Sequence, residues 1–403
     1  MMQIIKIFNR KRIKAVGLNS GTSADGLDLV AVEIIFSKGT PQINFIKGRT
    51  ISYPDEIRAE IKKAIHNRIN SIDDIIRLDR RLGTFYGRET SKFISRLSKR
   101  GFVPDVIGSH GQTVRHLPGQ IMIEGRKKSG TMQLGHPESI ANITGCLTIA
   151  DFRQADIAAG GEGAPITTRA MAAIFGNEKE NRLLINIGGI ANYFLFPKKG
   201  RSAKIEARDC GPGNSLLDIL AEIYFRRRYD NKGSLAAKGN ISIRLLSLLM
   251  ADNFIKGRYG VSTGRERFGE KFARKISRYG LRLNLNKYDI LATTTELTAV
   301  AIARNIRRKI SELKMDKIYL FGGGAKNDFL RERISANLPG VKLMPVEKLG
   351  YDSDYLEATC YAVMAALTIR GVPAGLSSIT GAEYDSISGR IIFPPAGIRR
   401  NSR

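Results

Sequence analysis

The sequence predicts an α/β protein built as a duplicated domain with a cleft between the copies. Two observations carry this. Segments of strand character alternate with segments of helical periodicity along all 403 residues, the pattern of sheets covered by helices. A strand–glycine turn–strand unit also occurs twice, near residue 20 and near residue 188. No short-period repeat of the solenoid kind accompanies it.

The first unit runs from residues 15–19 through Ser20-Gly21-Thr22-Ser23-Ala24-Asp25-Gly26 to residues 27–35, reading strand, turn, strand. Residues 55–66 and 72–99 read as helices; in the second, Ile76, Leu82 and Phe85 share a face, as do Ile94 and Leu97. Val106-Ile107-Gly108 ends a strand that runs into Ser109-His110-Gly111-Gln112-Thr113. Residues 119–130 suggest a hairpin or loop, 139–144 a short helix, 146–149 a strand and 151–165 a long polar loop. Residues 183–196 form the second strand–glycine–strand unit, and Asp209-Cys210-Gly211-Pro212-Gly213-Asn214 precedes a helix in which Leu216, Leu220 and Ile223 share a face. A helix over 294–313, a strand over 318–321, three glycines, a helix from about residue 328 and a last helix over about 354–370 complete the chain. The expected division is an N-terminal lobe of residues 1–180 and a C-terminal lobe of 181–403, with the last helix returning towards the first lobe.

Composition narrows the function. Apolar residues make up 42% of the chain, enough for large cores and too many for a disordered protein. Cys146, Cys210 and Cys360 are far apart and form no C-x-x-C pair, which argues against a disulfide framework or zinc site and fits a reducing cytoplasm. No apolar run reaches the roughly 18 residues of a membrane span, and the four histidines have no H-E-x-x-H spacing. The net charge of +27 fits three origins: a basic host milieu, steering of anionic small substrates, or a nucleic-acid surface. The basic residues are spread along the whole chain without an aromatic-interleaved motif, which counts against a dedicated nucleic-acid reader.

Several segments have the chemistry of a ligand site. In Ser20–Gly26, glycine lets backbone N–H groups approach an anion, Thr22 and Ser23 can donate to phosphate oxygens, and Asp25 can hold Mg²⁺ through water. An ordinary hairpin turn explains the same residues, since Asp-Gly is a common turn pair. Gly188-Gly189 sits between strongly apolar strands and either sets turn geometry or forms the second half of a phosphate clamp. Gly322-Gly323-Gly324 lies between a strand end and a helix start, where α/β proteins bind ligands, and admits a flat purine. Neither G-x-x-x-x-G-K-[ST] nor G-x-G-x-x-G is present. Asp209 is either a turn former, with Asn214 as helix N-cap, or a general base. Asp354 and Glu357 have the spacing of a near capping box, and His110 either contacts a ligand hydroxyl or satisfies a strand end.

Taken together, these segments resemble the anhydro-N-acetylmuramic acid kinase family over most of the chain. The matching motifs are Ser20 to Gly26, Ser109-His110-Gly111-Gln112-Thr113-Val114, Asp151-Phe152-Arg153, Gly160-Gly161-Glu162-Gly163-Ala164-Pro165, Asn186-Ile187-Gly188-Gly189-Ile190-Ala191-Asn192, and Asp209 to Asn214. Ser262-Thr263-Gly264-Arg265-Glu266, Thr295-Glu296-Leu297-Thr298-Ala299-Val300, Gly322-Gly323-Gly324 and Thr380-Gly381-Ala382 complete them. The resemblance implies a two-lobed actin-like/sugar-kinase (ribonuclease H-like) fold. It also implies a reaction of ATP, anhydro-N-acetylmuramic acid and water that gives N-acetylmuramic acid 6-phosphate and ADP, with Mg²⁺ as cofactor, in a cytoplasmic homodimer. It implies Asp209 as the base activating water and phosphate contacts from Ser20, Gly21, Thr22, Ser23, Asp25, Gly26, Gly188 and Gly189. Adenosine contacts fall to Gly322, Gly323 and Gly324, substrate contacts to His110, Gln112, Glu162, Asn214 and Glu357, and the metal to Asp25. The chain departs from the family pattern at Glu162, where Gln is usual, and in Thr167-Thr168-Arg169-Ala170, both in a motif associated with the sugar. A kinase for another sugar or acidic hydroxy compound, and an actin-like ATP-driven switch, are the alternative functions.

Overall fold

The computed structural model describes residues 7–21, 24–36, 41–198, 204–256, 263–264 and 267–396. The chain folds into two compact units, Met1–Ile174 with Asp354–Arg403, and Phe175–Ser353. It therefore changes unit at residues 174–175 and again at 353–354, where the sequence suggests a division at residue 180 with the last helix returning to the first lobe.

In the first unit, β1 (Arg12–Ser20), β2 (Gly26–Ile35) and β3 (Gln42–Ser52) make an antiparallel meander. On the other side of β1 lie β4 (Val106–Ile123), parallel to it, then β6 (Thr148–Ala150), then β12 (Arg390–Ile392); β5 (Arg126–Leu134) pairs back on β4. One face of this sheet is closed by α1 (Asp55–Ile65) and α2 (Ile72–Ser98), whose Ile61, Leu82, Tyr86 and Phe93 pack with Val16, Leu18 and Ile107. The other face receives α11 (Leu356–Ile369) at unusually close range. A Cβ on Gly17 would lie 1.8 Å from the Ala358 carbonyl oxygen, and one on Gly108 would lie 2.1 Å from that of Tyr361. Every residue of α11 except Glu357 is buried, as expected of a helix apolar all round. The unit also holds α3 (Pro137–Thr144), α4 (Gln154–Ala158) and most of α5 (Thr168–Phe175).

The second unit repeats the plan. β7 (Arg182–Ile187), β8 (Ile190–Phe196) and β9 (Glu206–Pro212) form an antiparallel meander, β10 (Lys317–Phe321) runs parallel to β7, and β11 (Lys342–Pro345) runs parallel to β10. Ile185, Ile187, Tyr193 and Cys210 face Ile302 and Ile306 of α9 (Lys287–Leu313) and Leu330 and Ile334 of α10 (Asp328–Asn337). A separate core joins α6 (Asn214–Phe225), α7 (Ile243–Met250), α8 (Glu270–Arg282) and the first half of α9. In both units a meander's first strand takes a parallel strand on its free side, and a further one beyond that. The α/β class and the internal duplication expected from the sequence are both present.

Local departures have simple causes. Ile76 is 57% exposed, because the buried stripe of α2 runs through Leu78, Leu82, Tyr86, Phe93 and Leu97 at helical spacing and misses it. Ile223 is 47% exposed for the same reason, while Leu216 and Leu220 are buried. β4 continues to Ile123 instead of ending near Gly108, because its far part pairs with β5. The loop at 151–165 contains α4.

Candidate functional site

Most sequence-predicted residues of the first unit gather where β1 ends, beside β4. Ser20 closes β1, and its hydroxyl stands 2.5 Å from Gln112 Oε1 while accepting from the Tyr53 hydroxyl at 2.6 Å. Tyr53 and Tyr86 share a further hydrogen bond at 2.7 Å. Burial holds Tyr86 up at about 12 and Tyr53 well above its ordinary value, so both stay protonated. Gln112 is wholly buried and also donates to the Gly21 carbonyl at 3.3 Å. Its side chain therefore ties β4 to the turn after β1. Ala24, in that turn, has φ 56°, a left-handed conformation costly for a residue with a Cβ. Gly26 owes its small size to β3, since a Cβ would come within 2.5 Å of the Ile51 carbonyl oxygen. The Asp25 carbonyl accepts from the Tyr53 N–H at 3.1 Å. Thr22 and Ser23 lie outside the described residues, as do Ser262, Arg265 and Glu266.

One residue earlier, Asn19 donates to Glu357 Oε2 at 2.9 Å, joining β1 to the start of α11. Glu357 does not close a capping box: the N-cap of α11 is Tyr355 and it makes no side-chain cap bond. Asp28, paired with Asn19 across the β1–β2 hairpin, is raised to about 6. Burial is the main cause, the Thr50 hydroxyl opposes it, and the charges of Glu357 and Asp354 add to it.

A second cluster joins three motifs far apart in sequence. His110 stacks on Tyr361, ring centroids 4.5 Å apart, and its Nε2 accepts from the Arg153 guanidinium at 3.1 and 3.2 Å. Burial and that guanidinium push the imidazole well below its usual range, so His110 is neutral. Arg153 also donates to the Gly163 carbonyl at 2.8 Å. Asp156, 1% exposed, accepts from the Gly163 N–H at 2.8 Å and from the Thr380 hydroxyl at 2.5 Å. The Glu162 N–H donates to the Thr380 carbonyl at 2.9 Å. The loop carrying Glu162 is thus fixed on both sides, and the Glu162 carboxyl is raised by burial and by the charge of Asp156. Sequence reasoning missed Asp156; its one signal was an acid set among Ala155, Ile157 and Ala158.

In the second unit the predicted residues meet at the carboxyl ends of β7 and β10, where ligands of open α/β sheets bind. The Gly188 carbonyl accepts from the Asn214 N–H at 2.8 Å, and the Gly189 carbonyl from the N–H groups of Gly213 and Ser215 at 3.0 and 3.1 Å. This docks the start of α6 onto the turn. Gly213 is the N-cap and Asn214 the first helical residue, its side chain donating to the Ile187 carbonyl at 3.2 Å. The glycines then sort into two kinds. A Cβ on Gly322 would strike Asn186 Oδ1 at 2.4 Å, and one on Gly324 would strike Ile187 Cγ2 at 2.2 Å. Packing accounts for both. On Gly188 and Gly323 it would meet nothing closer than 3.5 and 3.4 Å. A methyl at these two positions would make ordinary contacts without a clash, so packing does not require glycine there, and the bare backbone suits close approach of a phosphate or a flat ring.

Asp209 lies within β9, 8% exposed, and its Oδ2 accepts from the Thr263 N–H at 2.7 Å. It is paired with Asn192 of β8, which is paired with Asn186 of β7. Among the described residues no group of three or more His, Cys, Asp or Glu is arranged to hold a metal. A magnesium ion leaning on the Asp25 carboxylate and completed by phosphates would need no such group. No helix among the described residues is long and apolar enough to cross a membrane.

The family model and the curated relatives agree. A family model described as anhydro-N-acetylmuramic acid kinase matches residues 13–394. The anhydro-N-acetylmuramic acid kinase of Caldanaerobacter subterraneus subsp. tengcongensis is 34% identical over 97% of this chain and 100% of its own. That of Bacillus cereus strain AH820 is 33% identical over 94% of this chain and 99% of its own. Among solved structures, the activator of the 2-hydroxyisocaproyl-CoA dehydratase from Clostridium difficile with bound ADPNP is 14% identical, with a TM-score of 0.39, over 89% of this chain and 96% of that one.

Proposed function

The chain belongs to the anhydro-N-acetylmuramic acid kinase family, and from that membership we propose that it uses ATP and water to convert anhydro-N-acetylmuramic acid into N-acetylmuramic acid 6-phosphate and ADP. Water attacks C1 of the sugar and the C1–O6 bond of the anhydro ring breaks. O6 takes the γ-phosphoryl group, and the bond from that group to the β-phosphate breaks to leave ADP. The water's proton goes to the Asp209 carboxylate, leaving a hydroxyl at C1.

Each proposed role follows from chemistry the residues possess. A water attacking an anomeric carbon requires a carboxylate base on the face away from the departing oxygen, and the Thr263 N–H orients Asp209 for such work. Phosphoryl transfer requires positioning and neutralisation of charge. We assign that role to Ser20, Gly21, Thr22, Ser23, Asp25 and Gly26 and to Gly188 and Gly189. Magnesium held at Asp25 would supply charge neutralisation at the phosphates. Gly323 would lie against the adenine, with Gly322 and Gly324 shaping the backbone beside it. Glu162, His110, Asn214 and Glu357 would contact the sugar, with Gln112 holding the Ser20 turn. His110, being neutral, serves as a hydrogen-bonding surface and not as a cation. A homodimer in the cytoplasm belongs to the same proposal.

The observation that carries the reading is the family match across residues 13–394. The test is ADP release with anhydro-N-acetylmuramic acid against a panel of plain sugars, run in ¹⁸O-labelled water. Label at C1 of the product marks ring hydrolysis; phosphorylation without label points to a kinase for another hydroxyl. Asp209→Asn is expected to lower turnover by about two orders of magnitude or more, a general-base magnitude, with ATP binding retained. Near-normal turnover by that variant removes Asp209 from the role.

A further inference from the structure

Three side chains form one row across the second unit's meander. Asn186 on β7 pairs with Asn192 on β8, and Asn192 pairs with Asp209 on β9. Directly paired residues of antiparallel strands send their side chains to the same face. Their neighbours Ile185, Ile187, Ala191, Tyr193 and Cys210 belong to the core beneath α9 and α10. The row therefore stands on the opposite face. At one end it reaches the glycine turns, since Asn186 lies 2.4 Å from the position a Gly322 Cβ would take and 3.9 Å from that of a Gly188 Cβ. At the other end is the Asp209 carboxylate.

Asn192, in the middle, has a buried side-chain oxygen, Oδ1, with no hydrogen-bond partner among the described residues. An acceptor left in this state costs about 1–3 kcal/mol, and an unsatisfied group in a native fold calls for an explanation. The missing partner must be a donor. Phosphate oxygens cannot supply one, and neither can the neighbouring carboxylate when ionised, because both only accept. Asn192 is paired in register with Asp209, and a molecule that donates to both side chains needs two O–H bonds, which water has.

We propose that Asn192 is a further catalytic residue, its Oδ1 accepting from the attacking water while Asp209 takes that water's other proton. Holding both hydrogens fixes where the water's lone pair points. Asp209 alone would leave the molecule free to rotate about a single hydrogen bond. This inference rests on the reading of Asp209 as the base.

The experiment separates the two. Asn192→Leu removes the orphan oxygen at similar volume, so the folded state is expected to melt no lower than wild type. Its kcat is expected to fall by about tenfold to a hundredfold, with KM for ATP and for anhydro-N-acetylmuramic acid within threefold of wild type on the same order-of-magnitude scale. Asn192→Asp places a second carboxylate beside Asp209 and is expected to move the acidic limb of the kcat profile upward by about one pH unit or more. A purely structural amide would move neither quantity. A kcat for Asn192→Leu within about twofold of wild type overturns the proposal, as does a rise in sugar KM alone or an acidic limb that stays in place in Asn192→Asp. Full turnover by Asp209→Asn fells the base reading and this inference together. An inactive Asp209→Asn beside a normal Asn192→Leu fells only this inference.

Discussion

Replacing Asp156 by alanine tests whether a single buried carboxylate holds the loop that carries Glu162. The carboxylate is 1% exposed and accepts from the Gly163 N–H at 2.8 Å and the Thr380 hydroxyl at 2.5 Å. Alanine leaves the Gly163 N–H without the carboxylate, at about 1–3 kcal/mol, and leaves the Thr380 hydroxyl only its longer bond to the Leu376 carbonyl at 3.3 Å, at about 1 kcal/mol. Relief from burying a charge offsets part of this, so the expected net loss is about 2–3 kcal/mol. In a unit of this size that lowers the first unit's thermal midpoint by roughly 5–12 °C. Heat denaturation followed by circular dichroism measures the loss, and steady-state kinetics gives a second readout. With Glu162 proposed as a sugar contact, the sugar KM is expected to rise as its loop loses support, while the ATP KM stays near wild type. Thr380→Val removes only one of the two donors and gives about half the effect. A midpoint within about 2 °C of wild type for Asp156→Ala, with sugar KM unchanged, would refute the reasoning, because the two donors would then be satisfied without the carboxylate.

Two other perturbations follow from the same geometry. Asp28 has a folded value of about 6 against 3.8, raised by burial and then by Glu357 and Asp354. Its contribution to stability is therefore present below about pH 4 and lost as the pH rises through about 6. The gap bounds the effect at about 3 kcal/mol, and partial exposure brings it to roughly 1–2 kcal/mol. Asp28→Asn is accordingly expected to raise the thermal midpoint at pH 7–8 and to flatten its pH dependence between about 4 and 6; equal midpoints at pH 7 count against it. The glycines give a contrasting pair. Gly188→Ala is expected to fold normally and raise the ATP KM about tenfold or more, whereas Gly324→Ala, whose methyl would meet Ile187 at 2.2 Å, loses stability first. Melting curves and ATP titrations of both variants check the distinction, and an unchanged ATP KM in Gly188→Ala contradicts it.

Much of the candidate site's backbone was legible in the sequence because glycine-rich turns announce themselves. Ser20 to Gly26, Gly188-Gly189 and Gly322 to Gly324 stand out as small residues at the ends of apolar strands, and all three lie at strand ends in the structure. What could not be read was which glycines serve packing. Gly26, Gly322 and Gly324 look like Gly188 and Gly323 in sequence, and only the neighbouring atoms tell them apart. The short strand holding Asp209 was equally hidden, since Glu206–Pro212 has no alternating apolar pattern and ends in Gly-Pro, and its pairing comes from β8.

The sequence by itself determined the α/β class, the duplicated strand–turn–strand unit and the family, because periodicity, glycine placement and ordered motifs are local along the chain. Tertiary structure alone decided where the chain leaves and re-enters the first unit, at residues 174–175 and 353–354, that Asp156 bonds the Thr380 hydroxyl beside the loop of Glu162, and that Asn186, Asn192 and Asp209 share a row. The physical reason is that each of these depends on which distant strands and helices are brought into register. Strand register is fixed by the burial of one whole face of a sheet, a property that no short stretch of residues contains.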